Sequence, residues 1–176
     1  ELKVIGVAAL APASDLKGLV QASKSSVFGK IVSSYVITAY AQAYPDVKVE
    51  DYVGLVPRVI ASDMAKRCVA GYQTLFSVMQ TILLPAQGIF RNDPTSGPLG
   101  TRLAENTPNG MVPSPLLIAQ GEIDDLVLPE VQKRYVAVRC SAGQRIDFRT
   151  YPGRDHVSIV APDSPLAPEL VQWTRD

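Results

Sequence analysis

The sequence is short of several residue types, and each shortage excludes a class of protein. Its 176 residues contain one histidine, two cysteines and equal numbers of basic and acidic side chains, 17 of each. A balanced charge provides no basic face for phosphate groups, which argues against nucleic-acid binding. One histidine, with no second histidine or cysteine at ligand spacing, argues against a zinc site. The longest apolar runs, such as VIGVAALAPA, are too short to span a bilayer.

The remaining composition is that of an ordinary soluble globular domain. Apolar residues make up 47% of the chain and charged residues 19%, which is enough to build a core. The first residue is Glu1, and a strand-like run follows at once, without the charged and apolar regions of a signal peptide. We therefore expect the chain to be the later part of a longer protein, either cleaved or truncated.

The chain begins with a strand pattern and then enters a helix. Residues 3–10 (KVIGVAAL) are a continuous apolar run closed by Pro12, which predicts a short buried strand. Ser14 or Asp15 then suits the N-cap position of a helix, because short oxygen-bearing side chains accept hydrogen bonds from the first free backbone N–H groups.

Residues 16–84 show helical spacing. The clearest stripe predicts a helix that Pro45 stops. Its apolar members are Phe28, Ile31, Val32, Tyr35, Val36, Ala39, Tyr40 and Ala43. Two further helices are predicted around 57–68 and 72–83, joined near Gly71.

The segment 85–115 has a different character, since it is crowded with proline, glycine and asparagine and shows no period. It is predicted to be a long irregular loop, with room for a turn of helix. Loops of this length inside compact domains usually serve a function, often as lids or binding loops.

From residue 115 onward, strand and helix patterns alternate. A buried strand is predicted at 115–120, a helix from Pro129 to about Ser141, and a second strand at 144–153. A last helix follows, capped by Asp163 or Ser164. This alternation is typical of an α/β fold with a parallel sheet, in which functional groups lie on the loops after the strands.

Two such loops carry acidic and imidazole side chains. The first contains Glu122, Asp124 and Asp125, and the second contains Asp155 and the single histidine, His156. Adjacent parallel strands lie about 4.8 Å apart, so an aspartate on one loop could orient His156, as the third member of a catalytic triad does. A loop histidine is, however, more often a surface residue, and an aspartate such as Asp125 could simply cap the next helix.

The acid precedes the histidine in the chain, as the last two members of the α/β-hydrolase triad do. The residues around them show a more specific resemblance. Residues 115–176, which include PLLIAQGEIDDLVLPE and YPGRDHVSIVAP, resemble the C-terminal end of the secretory lipases of the α/β-hydrolase superfamily, the group of fungal lipase A and its actinobacterial relatives. A weaker resemblance extends over KVIGVAALAPASDL. The resemblance implies that Asp124 is the catalytic acid and His156 the base. Asp125 is the neighbour with which the acid could be confused, whereas Arg154 and Asp155 would shape the loop.

The resemblance also implies an organisation into three segments. Residues 1–15 would supply a strand and loop of the hydrolase core, residues 16–114 an inserted, mainly helical cap, and residues 115–176 the C-terminal core with acid and histidine. The implied fold class is α/β, the C-terminal portion of an α/β-hydrolase fold. Apolar stripes of the cap would either face the acyl chain of a substrate or pack only against each other.

The nucleophile of such a triad is absent from the sequence. No G-x-S-x-G occurs, and the serines of QASKSSVFG and PTSGPLG lack the strand–turn–helix setting of a nucleophile elbow. Cys68 and Cys140 show no sign of an activated thiolate, and they could form one disulfide or stay free. The expected partner is therefore an N-terminal segment of the same protein, which would supply the serine and the oxyanion-hole donors.

The predicted activity is that of a serine lipase or esterase that hydrolyses carboxylic esters with an apolar acyl chain, secreted as its relatives are. No metal or organic cofactor is implied, and the isolated chain is expected to be inactive. Two alternatives stay open: a non-catalytic hydrolase fragment that acts as an interaction module, and a peptidase-type hydrolase on the same fold.

Overall fold

The computed structural model describes residues 3–68 and 72–175, so Gly71, predicted to join two helices, lies outside the described residues. Three strands and eight α-helices are described, with two short 3₁₀ helices at Thr81–Leu83 and Ser158–Val160. In chain order, the strands and α-helices are β1 (Val7–Leu10), α1 (Leu16–Ser23), α2 (Val27–Ala43), α3 (Val49–Tyr52), α4 (Leu55–Met64), α5 (Gln73–Gln80), α6 (Gly97–Glu105), β2 (Leu116–Gly121), α7 (Pro129–Ser141), β3 (Asp147–Tyr151) and α8 (Leu166–Trp173).

The chain divides into two compact units. The first, called the sheet unit, consists of residues 1–15 and 108–176, and the second, called the helical unit, consists of residues 16–107. None of the helices in the described ranges combines the length and apolarity needed to cross a bilayer.

The sheet unit contains a parallel sheet in the order β1-β2-β3. Ala119 of the central strand is in register with Leu10 on one side and Arg149 on the other. Strand β2 is buried over nearly its whole length, as its continuous apolar run predicted. This sheet confirms the α/β class and places the ends of β2 and β3 side by side.

Strand β1 differs from its prediction. It begins at Val7, and the side chains of Val4 and Ile5 before it are 63% and 77% exposed. The strand is half-buried, and its outer side pairs with no other strand among the described residues. It is therefore shorter and less buried than its apolar run indicated.

The helices of the sheet unit begin close to where the sequence places them. Helix α7 runs from Pro129 to Ser141 as predicted, with proline in the first turn, where its missing N–H costs nothing. Before α8, the Ser164 hydroxyl accepts a hydrogen bond from the backbone N–H of Leu166. Asp163, the other cap candidate, instead pairs with Arg154.

The helical unit has its own apolar core. Its fully or nearly fully buried members are Val20, Ile31, Ile37, Val47, Tyr52, Val53, Ala61, Met64, Leu84, Ile89, Phe90, Leu99 and Leu103. The prediction of an irregular segment is wrong for residues 97–105, which form α6. Leu99 and Leu103 lie one turn apart on its buried face. The Tyr52 hydroxyl accepts from the Leu99 N–H, a tertiary cap that local composition does not reveal.

The buried face of α2 is also different from the predicted stripe. Its buried side chains include Lys30, Ser33 and Ser34, whereas Phe28 and Ala39 of the stripe are exposed. Small polar side chains can be buried on a helix because their hydroxyls return a hydrogen bond to the preceding turn, as Ser34 does to the Lys30 carbonyl.

Candidate active site

The candidate acid, Asp124, lies in the loop that follows β2 and is 1% exposed. Its Oδ1 atom accepts hydrogen bonds from the backbone N–H groups of Leu126 and Val127, each at 2.8 Å. The sequence folds this way because an aspartate readily bonds to backbone groups two and three residues later. These two bonds fix one oxygen of the carboxylate and leave the other, Oδ2, to face the neighbouring loop.

His156 meets that second oxygen. Its Nδ1 atom lies 2.9 Å from Asp124 Oδ2. A carboxylate only accepts hydrogen bonds, so Nδ1 carries the proton and Nε2 of a neutral imidazole carries the lone pair. Within the described residues Nε2 has no hydrogen-bond partner, and the histidine side chain is 35% exposed. The imidazole is therefore oriented on one side and open on the other.

The loop that carries His156 is shaped by its neighbours. Asp155 Oδ1 accepts from the N–H groups of Val157 and Ser158, and the Ser158 hydroxyl accepts from the Asp155 N–H. These bonds, chiefly the one from the Ser158 N–H, lower the pKa of Asp155. Arg154 donates to the side chain and the backbone carbonyl of Asp163, at 3.0 and 2.8 Å. Asp155 and Arg154 thus hold the loop, as the resemblance implied.

The two loops are joined directly through backbone atoms. The Ile123 N–H donates to the Arg154 carbonyl at 3.1 Å, and the Glu122 N–H donates to the Tyr151 carbonyl at the same distance. Gly121 allows this approach, because a Cβ atom at its position would lie 2.3 Å from the Arg154 oxygen. The absence of a side chain at Gly121 therefore brings the acid and the histidine within hydrogen-bonding distance.

The three acidic residues of the first loop differ in their contacts. Asp125 is exposed, and it forms no hydrogen bond or ion pair with any described residue. It does not cap α7 either, since Leu128 holds the N-cap position without a side-chain bond. Glu122 accepts a hydrogen bond from the Thr150 hydroxyl at 2.8 Å. Only Asp124, among the three carboxylates of the first loop, contacts His156.

Sequence reasoning missed one polar residue of the site, Gln120. Its side-chain nitrogen donates to Asp124 Oδ2 at 3.1 Å, and the residue is fully buried. A glutamine that ends an apolar strand, in LLIAQG, was the available signal, because a polar side chain there must find partners within the fold.

The described residues include neither a group of side chains that could bind a metal ion nor a disulfide. Over the described ranges, no three histidine, cysteine, aspartate or glutamate side chains come together as a metal-binding group. Both cysteines are free and exposed, so they form no disulfide. What the sheet unit presents is a buried carboxylate and a half-exposed imidazole, an arrangement that can accept a proton at Nε2 and stabilise the resulting positive charge.

The chain is similar to known lipases in sequence family and in fold. The family model described as secretory lipase matches residues 1–176. The structure resembles that of Candida antarctica lipase A in its closed state, with a TM-score of 0.65 and 16% identity. It also resembles the rice cell wall degrading esterase LipA from Xanthomonas oryzae, with a TM-score of 0.66 and 16% identity. No curated protein sequence matches the chain.

The chain corresponds to only part of these structures. The match to lipase A covers 89% of this chain and 38% of that one, and the match to LipA covers 97% of this chain and 48% of that one. At this level of identity the likeness establishes the fold alone, and this chain is similar in fold to part of a lipase and part of an esterase.

Proposed function

Because this chain belongs to the secretory lipase family, we propose that it is the C-terminal part of a serine ester hydrolase. In this proposal Asp124 and His156 serve a serine that an N-terminal segment of the same protein supplies. The observation that carries it is the Asp124–His156 hydrogen bond, which orients an imidazole whose Nε2 has no partner among the described residues.

The chemistry follows from that orientation. His156 Nε2 takes the proton of the serine hydroxyl as the serine oxygen attacks the ester carbonyl. Asp124 then lies against an imidazolium and stabilises its charge. The imidazolium returns the proton to the departing alcohol, which leaves an acyl-enzyme. Water attacks the acyl-enzyme by the same route, and the carboxylic acid is released. Oxyanion donors from the N-terminal segment would stabilise each tetrahedral intermediate.

The proposed substrate is a carboxylic ester with an apolar acyl chain, similar to an acylglycerol. Residues 16–114 would form the cap over the site. Support for an apolar substrate comes from α5, where Leu75, Phe76 and Met79 are all more than half exposed. Apolar and aromatic side chains of this kind are the ones that line pockets for apolar ligands.

The protein is further proposed to be secreted, as the description of its family suggests. No metal or organic cofactor takes part in the proposed reaction. The isolated chain would be inactive, because the serine and the oxyanion donors lie on the preceding segment.

Turnover of chromogenic substrates by the protein that carries this chain tests the proposal. We expect hydrolysis of p-nitrophenyl esters of increasing acyl length, no hydrolysis of matched p-nitroanilides, and loss of ester hydrolysis in a folded His156→Ala variant. Preferred cleavage of the anilides would instead indicate a peptidase. Absence of turnover on both, in a protein that contains a G-x-S-x-G segment, would indicate a non-catalytic hydrolase and overturn the proposal.

A further inference from the structure

A buried glutamine contacts the candidate acid at the carboxylate oxygen to which the backbone donors do not bond. Gln120 is the fifth of the six residues of β2 and is fully buried. Its Nε2 atom lies 3.1 Å from Asp124 Oδ2, 3.0 Å from the Val127 carbonyl oxygen and 3.2 Å from the Gly121 carbonyl oxygen. All three neighbours only accept hydrogen bonds, so the NH₂ group must face them.

The other end of the amide has no such partners. Gln120 Oε1 is buried and accepts no hydrogen bond from any described residue. A buried acceptor without a donor is unfavourable, and an apolar side chain of the same length would avoid that cost. Turning the amide over would place Oε1 against three oxygens. Among the described residues, all the side-chain hydrogen bonds of Gln120 are therefore made by its NH₂ group.

The carboxylate of Asp124 is held differently at its two oxygens. Oδ1 is fixed by two backbone N–H groups, whereas the donors to Oδ2 from the described residues are His156 Nδ1 and Gln120 Nε2. The same NH₂ group also reaches carbonyls at both ends of the acid loop, Gly121 and Val127. Gln120 is thus the one side chain besides His156, among the described residues, that bonds to the oxygen facing the imidazole.

From this geometry we infer that Gln120 is a positioning residue of the site. It donates to Asp124 Oδ2 and ties together the ends of the acid loop, which keeps that oxygen directed at His156 Nδ1. The inference rests on the proposed function only in that the Asp124–His156 pair is the catalytic one. The effect on the hydrogen bond itself does not depend on turnover.

Proton NMR on the protein that carries this chain tests the positioning directly. His156 is the only histidine of these 176 residues, and in ¹⁵N-histidine-labelled protein its Nδ1–H signal is the one that a His156→Ala variant lacks. A proton donated to a carboxylate resonates strongly downfield. We expect that signal in the wild type and expect it to move upfield, or to vanish through faster exchange, in Gln120→Met, which keeps the length but removes the amide.

A second buried glutamine provides the matched control. Gln144 is 4% exposed and bonds to Val112 and Arg145 before the start of β3, at the opposite end of the strands from Asp124. Gln144→Met should leave the downfield signal where it is in the wild type. If Gln120→Met does not fold, Gln120→Leu, which also lacks the donor, decides the question.

A downfield signal unchanged in a folded Gln120 variant would overturn the inference, as would an equal change in Gln144→Met. In the enzyme, Gln120→Met should lower kcat by about tenfold to a hundredfold, the scale of a small misplacement of catalytic groups, with little change in KM. If the NMR signal responds but no esterase activity exists, the proposed function fails and the positioning role stands. If esterase activity exists and the signal does not respond, only the positioning role fails.

Discussion

Both units of the chain have an apolar core, but they differ in where their buried polar side chains lie. In the sheet unit, apolar residues of β2 such as Leu117 and Ala119 are fully buried, and the buried polar residues Gln120 and Asp124 lie at and just after the carboxyl end of that strand. In the helical unit, Lys30 and Ser34 are buried, whereas Leu75 and other apolar side chains of α5 lie outside. A strand that is covered on both faces carries apolar side chains along its whole length, so its sequence indicates its burial. A helix that is apolar on several sides can bury any one of those sides, so its sequence does not indicate which side is buried.

This difference between the units predicts different effects of substitution on activity and on stability. Polar residues at the end of the sheet are ordered by many hydrogen bonds, so single substitutions there should affect activity strongly. Exposed apolar residues of the helical unit pack little within the chain, so their removal should affect stability weakly.

Asp124 and its neighbour Asp125 provide the sharpest test within the sheet unit. Asp124→Asn should reduce kcat for ester hydrolysis by about 10⁴-fold, because an amide in place of the carboxylate favours the wrong tautomer of His156. Asp125→Asn changes an exposed side chain and should leave kcat within about twofold, as surface substitutions usually do. Steady-state kinetics on both variants measures the effect, and equal losses would contradict the assignment of the acid.

Gly121 tests the contact between the two loops. In Gly121→Ala the new Cβ would lie 2.3 Å from the Arg154 carbonyl oxygen, so the loops must move apart. Activity should fall by about 10²-fold, the cost of a shift near 1 Å in catalytic geometry. Gly110→Ala is the control, because a Cβ at Gly110 meets nothing within 4 Å. Wild-type activity in a folded Gly121→Ala variant would show that this close approach is not needed.

Two leucines test the helical unit. Leu99 is 0% exposed and Leu75 is 66% exposed. Leu99→Ala should lower the free energy of unfolding by about 2–5 kcal/mol, since it leaves a cavity, whereas Leu75→Ala should change it by less than about 0.5 kcal/mol. Urea unfolding curves measure both values. A large loss in Leu75→Ala would mean that α5 packs its apolar face within the chain after all.

The smallest expected effect is the pH dependence of stability that the Tyr151 phenol contributes. Burial, with a hydrogen bond to Glu169, raises the pKa of Tyr151 from 10.0 to about 12. The fold prefers the neutral phenol, so the stabilisation is fully present below pH 10 and is lost as the pH rises through about 12. The absorbance of tyrosinate, compared between the wild type and Tyr151→Phe, isolates this titration among the seven tyrosines. A difference curve centred near pH 10 would contradict it.

Much of the sheet unit could be predicted from sequence because its signals are local. Pro129 marks the start of α7, the apolar run of β2 indicates a buried strand, and acid and histidine each follow a strand. The role of Gln120 could not be predicted, since its acceptors become neighbours only when the acid loop folds back onto β2. Helix α6 was missed for a similar reason, because a hydroxyl from Tyr52, far away in sequence, completes its first turn.

We propose that His156 serves a serine outside these 176 residues. Labelling the purified protein with a fluorophosphonate, followed by mass spectrometry of its peptides, identifies that serine. We expect one labelled serine, within a G-x-S-x-G segment that precedes this chain, and no label in a folded His156→Ala variant. A label on a serine within residues 1–176, or labelling that persists without His156, would contradict it.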